Sequence, residues 1–179
     1  MQELEDTIKN FLITGKPGCG KTTLIKEIVR EIKRPCFGFY TQEIRDKNGK
    51  RIGFEIISLN SKKGTLAHIN FKSKFRVGKY KVNLEGLEKI GVEAILEGLK
   101  SKENLIVIDE IGKMELFSEK FKEAVLKVLD SKNKVLATIK LTPDPFCDMI
   151  KKREDVVIFN LDQLHFEKIK KKLINLLKL

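Results

Sequence analysis

The sequence predicts an α/β fold: a mostly parallel sheet with helices on both faces and an antiparallel hairpin extension at one edge. Three observations carry this expectation. Short apolar runs alternate with amphipathic segments of helical period, a glycine-rich loop joins the first run to the first such segment, and an Asn-Gly pair sits between two β-rich runs. Strands of a parallel sheet are buried on both sides, so they read as continuous apolar runs and not as alternating ones.

The first run, residues 11–14, ends at a glycine and reads as a buried strand. Leu24, Ile25, Ile28, Val29 and Ile32 then recur at helical spacing, which predicts an amphipathic helix over 21–33. In "CFGFYTQEIRDKNGKRIGFEIISL", Asn48-Gly49 supplies the positive φ angles that a tight hairpin turn demands. Residues 65–70 can add a third antiparallel strand. Leu87, Ile90, Ala94, Ile95 and Leu99 mark a helix within 83–100. "NLIVIDE" is an apolar strand ending in two acids, and Phe117, Phe121, Ala124, Val125 and Val128 mark a helix behind it. "KVLATI" reads as another buried strand, 144–152 as a short helix, "DVVIFN" as a strand and 164–177 as a closing helix. No repeat, low-complexity segment or Pro/Gly/Ser-rich linker divides the chain, so residues 1–179 are expected to form one domain.

Composition bounds the function. With 41% hydrophobic and 34% charged residues, the chain is globular and not disordered. No apolar run approaches the ~20 residues of a membrane span, so no membrane role is expected. The start "MQELEDTIKN" lacks the pattern of a signal peptide, and a cytoplasmic location is expected. Cys19, Cys36 and Cys147 are odd in number and irregularly spaced, which suggests neither a disulfide framework nor a zinc site. His68 and His165 have no ligand spacing and read as surface or core residues. The net charge of +11 fits a polyanionic partner or the Lys/Glu-rich surface of heat-loving organisms. The second reading is favoured, because charge alone specifies no partner.

The stretch "GKPGCGKTT" matches G-x-x-x-x-G-K-[ST], the P-loop, with a strand before it and a helix after it. Glycines let the backbone wind around a phosphate with successive N–H groups pointing inward, and the helix N-terminus adds its positive dipole end. Gly15, Lys16, Pro17, Gly18, Cys19, Gly20, Lys21 and Thr22 are therefore the candidate phosphate-binding residues. Lys21 can reach the β- and γ-phosphates, and the Thr22 hydroxyl can hold Mg²⁺. Thr23 is an ordinary helix residue. Because the loop must admit phosphate, Cys19 is expected to be the most reactive of the three thiols.

"LIVIDEIG" places Asp109 and Glu110 at the C-terminal end of a buried strand, where ligand sites of parallel sheets lie. Asp109 suits the Mg²⁺-organising acid of a P-loop NTPase, alongside Thr22. Glu110 can orient or deprotonate a water in line with the γ-phosphate, which makes Lys21 and Glu110 the candidate catalytic residues. Two acids at a solvated strand end are the bland alternative. Asn133-Lys134 is followed by Val135 and Leu136, so the Asn-Lys-x-Asp run of guanine readers is absent and loose base discrimination is expected. Thr138 could sense the γ-phosphate or hold the attacking water, or could be an ordinary strand-end residue. Arg45, Arg51, Arg76 and Arg153 are the candidates for neutralising transition-state charge.

With "GKPGCGKTTL", "GFYTQEIR", "RIGFEIISL", "RVGKYKV", "VIDEIGKMELFS" and "REDVVIFN", nearly the whole chain resembles the small stand-alone P-loop nucleoside-triphosphatases of thermophiles, relatives of the cancer-related nucleoside-triphosphatase. The resemblance implies Mg²⁺-dependent hydrolysis of ATP, GTP and other nucleoside triphosphates. It implies the RecA/AAA-like branch, with an extra strand between the phosphate-loop strand and the acid-pair strand. It also implies a second nucleotide-contacting segment at Leu105, Ile106, Val107, Ile108, Asp109, Glu110, Ile111 and Gly112, and at least one of the four arginines facing the site.

Two other functions compete. A nucleotide or nucleoside kinase shares the phosphate loop, but no arginine-rich lid run lies between the acid pair and the last strand. A nucleic-acid-stimulated ATPase is suggested by residues 56–84, which contain no acid and interleave Lys62, Lys63, Lys72, Lys74, Arg76, Lys79 and Lys81 with Phe71, Phe75 and Tyr80. The alternative is a solvated basic face whose aromatics point into the core. A monomer is the expected state.

Overall fold

The computed structural model describes residues 8–178. Among the described residues nine strands make one sheet: β1 (Asn10–Thr14), β2 (Cys36–Arg45), β3 (Arg51–Ser58), β4 (Lys63–His68), β5 (Arg76–Val77), β6 (Tyr80–Val82), β7 (Leu105–Ile111), β8 (Lys134–Ile139) and β9 (Val156–Asn160). Their order is β5-β6-β4-β3-β2-β7-β8-β1-β9. From β2 to β9 all neighbours are parallel. From β2 outward to β5 all are antiparallel. The mostly parallel sheet with an antiparallel extension is thus present, and β8 is the extra strand between β1 and β7.

Helices cover both faces. α1 (Lys21–Glu31) and α5 (Phe166–Leu177) pack on one side, where Leu24, Ile25, Ile28, Leu173 and Leu177 meet Phe11, Ile13, Leu105 and Val107. The other side carries α2, the helical stretch 84–100, with α3 (Glu119–Asp130) and α4 (Pro145–Lys151), over Leu12, Ile106 and Ile108. Neighbouring residues of β1 and β7 point to opposite cores, which is why their sequences are unbroken apolar runs.

Several elements differ in detail from the sequence reading. The first helix stops at Glu31, where Ile32 takes extended geometry three residues ahead of Pro35. The β2–β3 connection is not a two-residue Asn-Gly turn. It runs over 46–50, only Gly49 takes a positive φ (78°), and Asp46 Oδ1 accepts from the Asn48 and Lys50 N–H groups at 2.9 Å. That Asx geometry supplies the reversal from a side chain instead of from a left-handed Asn48. Strands β5 and β6 were not foreseen, being two and three residues long. They close a small satellite core of Ala67, Tyr80 and Val82 against Phe54 and Phe75. Within α2 the segment Leu87–Val92 is π-helical. Phe117 belongs to a 3-10 turn, Glu115–Phe117, and not to α3, whose cap is Ser118: its Oγ accepts from Phe121 N–H at 3.1 Å.

Among the described residues, no helix is long and apolar enough to cross a membrane.

Candidate active site

The loop between β1 and α1 is built around three glycines. A Cβ on Gly15 would lie 2.6 Å from the Leu161 carbonyl oxygen and 2.8 Å from Cys19 Sγ, so only glycine fits that close approach. Gly18 and Gly20 take φ of 78° and 100°, left-handed values that other residues adopt at a cost. Gly20 is also the N-cap of α1 and offers no side chain to the first-turn N–H groups. These donors are left for an anion, with the helix dipole behind them. Lys21 Nζ donates back across the loop to the carbonyls of Gly15 (3.0 Å) and Lys16 (3.2 Å). Lys16, Pro17 and Gly18 are exposed at the rim.

The end of β7 meets the start of α1. Thr22 Oγ1 donates to Asp109 Oδ2 at 2.6 Å, and Thr138 Oγ1, from the end of β8, donates to Asp109 Oδ1 at 2.6 Å. Asp109 is only 2% exposed. Burial pushes its carboxyl up, against the pull of the two threonine hydroxyls and the Lys21 charge. Burial, then the neighbouring Asp109, raises Glu110, while Lys21 and Lys140 oppose the rise. The Glu110 carboxylate folds over Gly112, where a Cβ would come within 2.3 Å of its Oε1. Thr138 thus has a definite partner, the Asp109 carboxylate.

The rest of the β7 segment behaves differently. Leu105, Ile106, Val107, Ile108 and Ile111 are all 0% exposed and split between the two cores. Their side chains hold the strand between the two cores. Asp109 and Glu110, with Gly112 just after the strand, are what β7 brings to the strand ends.

The four arginines separate. Arg153 donates to Asp155 and Asp130, each at 2.8 Å, at the N-terminal end of β1, where the Asp155 carbonyl accepts the Asn10 N–H. That is the end of the sheet opposite the phosphate loop, so Arg153 does not face the site. Arg45 binds Glu43 and the Gly49 carbonyl at the hairpin tip. Arg51 binds Glu43 (2.7 Å) and the Tyr80 hydroxyl (3.0 Å). Arg76 is exposed and lines a groove of about 390 Å³ with Lys113, Phe117 and Asp144, residues that follow the C-terminal ends of β7 and β8.

Two further residues of the site escaped the sequence reading. Glu115 is 4% exposed, and burial followed by the charge of Glu110 drives its carboxyl well above the usual range. An acid inside the apolar "KMELF" was the available signal. Lys140 follows β8 directly, its side chain is 11% exposed, and its charge acts on Glu110. A cation placed just after a buried strand was the signal there.

A glycine loop between the first strand and helix, an acid pair at the end of β7 and one strand between the two define a P-loop NTPase. The NTPase family model matches residues 10–174, and the chain belongs to that family. It is 51% identical to nucleoside-triphosphatase THEP1 of Thermotoga sp. (strain RQ2), over 94% of this chain and 95% of that protein. It is 39% identical to the mouse cancer-related nucleoside-triphosphatase homolog, over 86% and 88% of the two chains. The fold is similar to the crystal structure of THEP1 from the hyperthermophile Aquifex aeolicus, with a TM-score of 0.86 at 35% identity, covering 95% of this chain and 99% of that one.

Proposed function

We propose that this chain is a Mg²⁺-dependent nucleoside-triphosphatase that converts ATP, GTP and other nucleoside triphosphates to diphosphate and phosphate, acting as one domain. The observation that carries the reading is the junction of Thr22 and Asp109 at 2.6 Å, directly beside Lys21 and Glu110. The family relationship supports the same reaction, since its named relatives are nucleoside-triphosphatases.

The donor set fits Mg²⁺. A hydroxyl and a carboxylate are hard oxygen ligands, and this ion is held by one or two carboxylates plus substrate phosphates, with no larger protein cage. Thr22 and Asp109 would hold it, and bound there it would neutralise charge on the β- and γ-phosphate oxygens. The chain's own residues do the rest. Loop N–H groups receive the phosphates. Lys21 exchanges the Gly15 and Lys16 carbonyls for phosphate oxygens. Glu110 takes a proton from a water while that water's oxygen bonds to the γ-phosphorus and the bond from the γ-phosphorus to the β–γ bridging oxygen breaks, releasing diphosphate. Lys140 and Lys21 hold Glu110 toward its charged, accepting form.

Phosphate release from ATP, GTP, CTP and UTP, without any acceptor, tests this directly. Release from each at comparable rates, abolished by EDTA, is expected. Turnover that appears only when a nucleoside or nucleotide acceptor is added would mean a kinase instead.

A further inference from the structure

The antiparallel extension does not lie flat. In sheet order β5 stands five strand spacings from β7, which is about 24 Å across a flat sheet at ~4.8 Å each. Yet Phe75, just before β5, packs on Phe117 with ring centroids 5.4 Å apart, and Met114 joins the satellite core of Tyr80 and Val82. The extension therefore curls back onto the turn that follows β7, residues 112–118. It carries Arg76 to the same groove as Lys113, Phe117 and Asp144.

Arg45, Arg51 and Arg153 are all spent on carboxylates. Arg76 and Lys113 are exposed, and among the described residues neither side chain makes an ion pair or a hydrogen bond. The acid of the groove is already answered. Asp144 Oδ1 accepts the Phe146 and Cys147 N–H groups at 3.0 and 3.3 Å, and Oδ2 lies 3.5 Å from Lys140 Nζ. Two unanswered cations thus stand among the apolar walls of Val77, Leu116 and Phe117, where an ion pair is stronger than in open water. At about 390 Å³ the groove has room for a phosphate ion and several waters of about 30 Å³ each.

The groove also lies on the side of the site that cleavage favours. An in-line displacement carries the γ-phosphorus away from the bridging oxygen and toward the attacking water, which here is toward Glu110. Lys113 stands three residues after Glu110, and Lys140, the partner of Asp144, acts on Glu110 through its charge. We infer that this groove is the exit subsite for inorganic phosphate, with the Arg76 guanidinium and the Lys113 ammonium as its ligands. The inference rests on the hydrolytic reading of the phosphate loop and adds to it where the second product leaves.

Titration of inorganic phosphate into the MgADP complex at constant ionic strength, followed by ³¹P NMR, tests it. Arg76→Ala and Lys113→Ala should each weaken phosphate by about tenfold or more, the worth of a charge-assisted hydrogen bond. Both side chains are exposed, so the variants should keep the wild-type melting temperature, and their Kd for MgADP should stay unchanged. Arg76→Lys, which keeps the charge, should lose less than Arg76→Ala. Phosphate affinity indifferent to both alanine variants overturns the subsite, as does equal weakening of MgADP. Lys21→Ala run alongside keeps the two readings apart. Unchanged MgADP affinity there fails the phosphate-loop assignment, whereas weakened MgADP affinity there, with phosphate indifferent to Arg76 and Lys113, fails the exit subsite alone.

Discussion

Lys21 bridges the phosphate loop through carbonyl contacts that a phosphate can replace. Lys21→Ala removes no core contact, since its partners are the Gly15 and Lys16 carbonyls of a rim loop. Hydrolysis should vanish and nucleotide affinity should fall, with the circular dichroism spectrum unchanged; near-normal turnover would remove the site assignment. Glu110→Gln keeps shape and hydrogen bonding but cannot accept a proton. Turnover should fall by about 10²–10⁴-fold while nucleotide still binds, the usual worth of a positioned base. If affinity falls in step with rate, Glu110 serves the metal or the fold. Cys19 differs from the other two thiols. It lies in the phosphate loop; Cys36 is just as half-buried and Cys147 is buried, and burial pushes Cys36 up to about 11 and Cys147 up to about 12. An alkylating reagent should therefore modify Cys19 first, and MgATP should slow it. Peptide mapping by mass spectrometry checks this; first labelling at Cys36 or Cys147 would refute it. These residues were legible because the P-loop and the acid pair are fixed spacings along the chain. Glu115 and Lys140 were not, because only the fold brings a turn five residues past Glu110 and the end of a separate strand to the same carboxylate.

At the scale of elements, the end of the sheet away from the site is pinned by one ionic cluster. Asp155 accepts from Arg153 at 2.8 and 2.9 Å and pairs with Lys9 at 3.1 Å. Arg153 reaches on to Asp130 at the end of α3. The cluster ties β1, β9 and α3 together through side chains 16–25% exposed, apart from Asp130 itself. Hydrogen bonding from Arg153 lowers the Asp155 carboxyl to about 2. A carboxyl lowered by folding adds stability that is complete above its ordinary value, near 4, and lost as pH falls toward 2. Asp155→Asn should cost about 2 kcal/mol at neutral pH, and its deficit against wild type should shrink to about 0.4 kcal/mol by about pH 2. Urea melts at both pH values measure it, and a deficit that persists in acid would assign the loss to packing. In the sequence, Arg153 looked like a site candidate because it lies in a stretch shared with the family. The parallel connection that turns it to the opposite sheet end has no local signature. The long central elements β1, β7 and β8 were readable because burial on both faces writes an unbroken apolar run. The two- and three-residue strands β5 and β6 are too short to write any period.

Across the whole molecule, the +11 charge is spread among ion pairs as well as bare lysines. Lys170 alone meets Glu27, Glu31 and Glu167 at 2.9–3.4 Å and joins α5 to α1, the kind of network expected of a heat-adapted surface. The basic stretch 56–84 reads differently in three dimensions than in sequence. Two of its three aromatics are already used: Tyr80 packs edge-on to Phe54 with ring centroids 5.1 Å apart, and Phe75 packs on Phe117 at 5.4 Å. Lys74 and Lys79 lie over the rings of Phe75 and Tyr80, at 5.2 and 5.4 Å. Lys62 and Lys63 face Glu93 and Glu55. Single-strand binding needs rings free to stack on bases as well as charge along the backbone, and here the Phe75 and Tyr80 rings are committed to the satellite core. What remains is an electrostatic attraction that salt removes by screening and counterion competition. Single-stranded RNA is therefore expected to bind weakly at low salt, to dissociate as salt rises to the physiological range, and to leave kcat for ATP unchanged. Phosphate release with and without RNA across a salt series measures both effects. A rise in kcat that survives physiological salt would show instead that nucleic acid is a working partner of this surface, and that the Phe75 and Tyr80 rings leave their core positions to meet it.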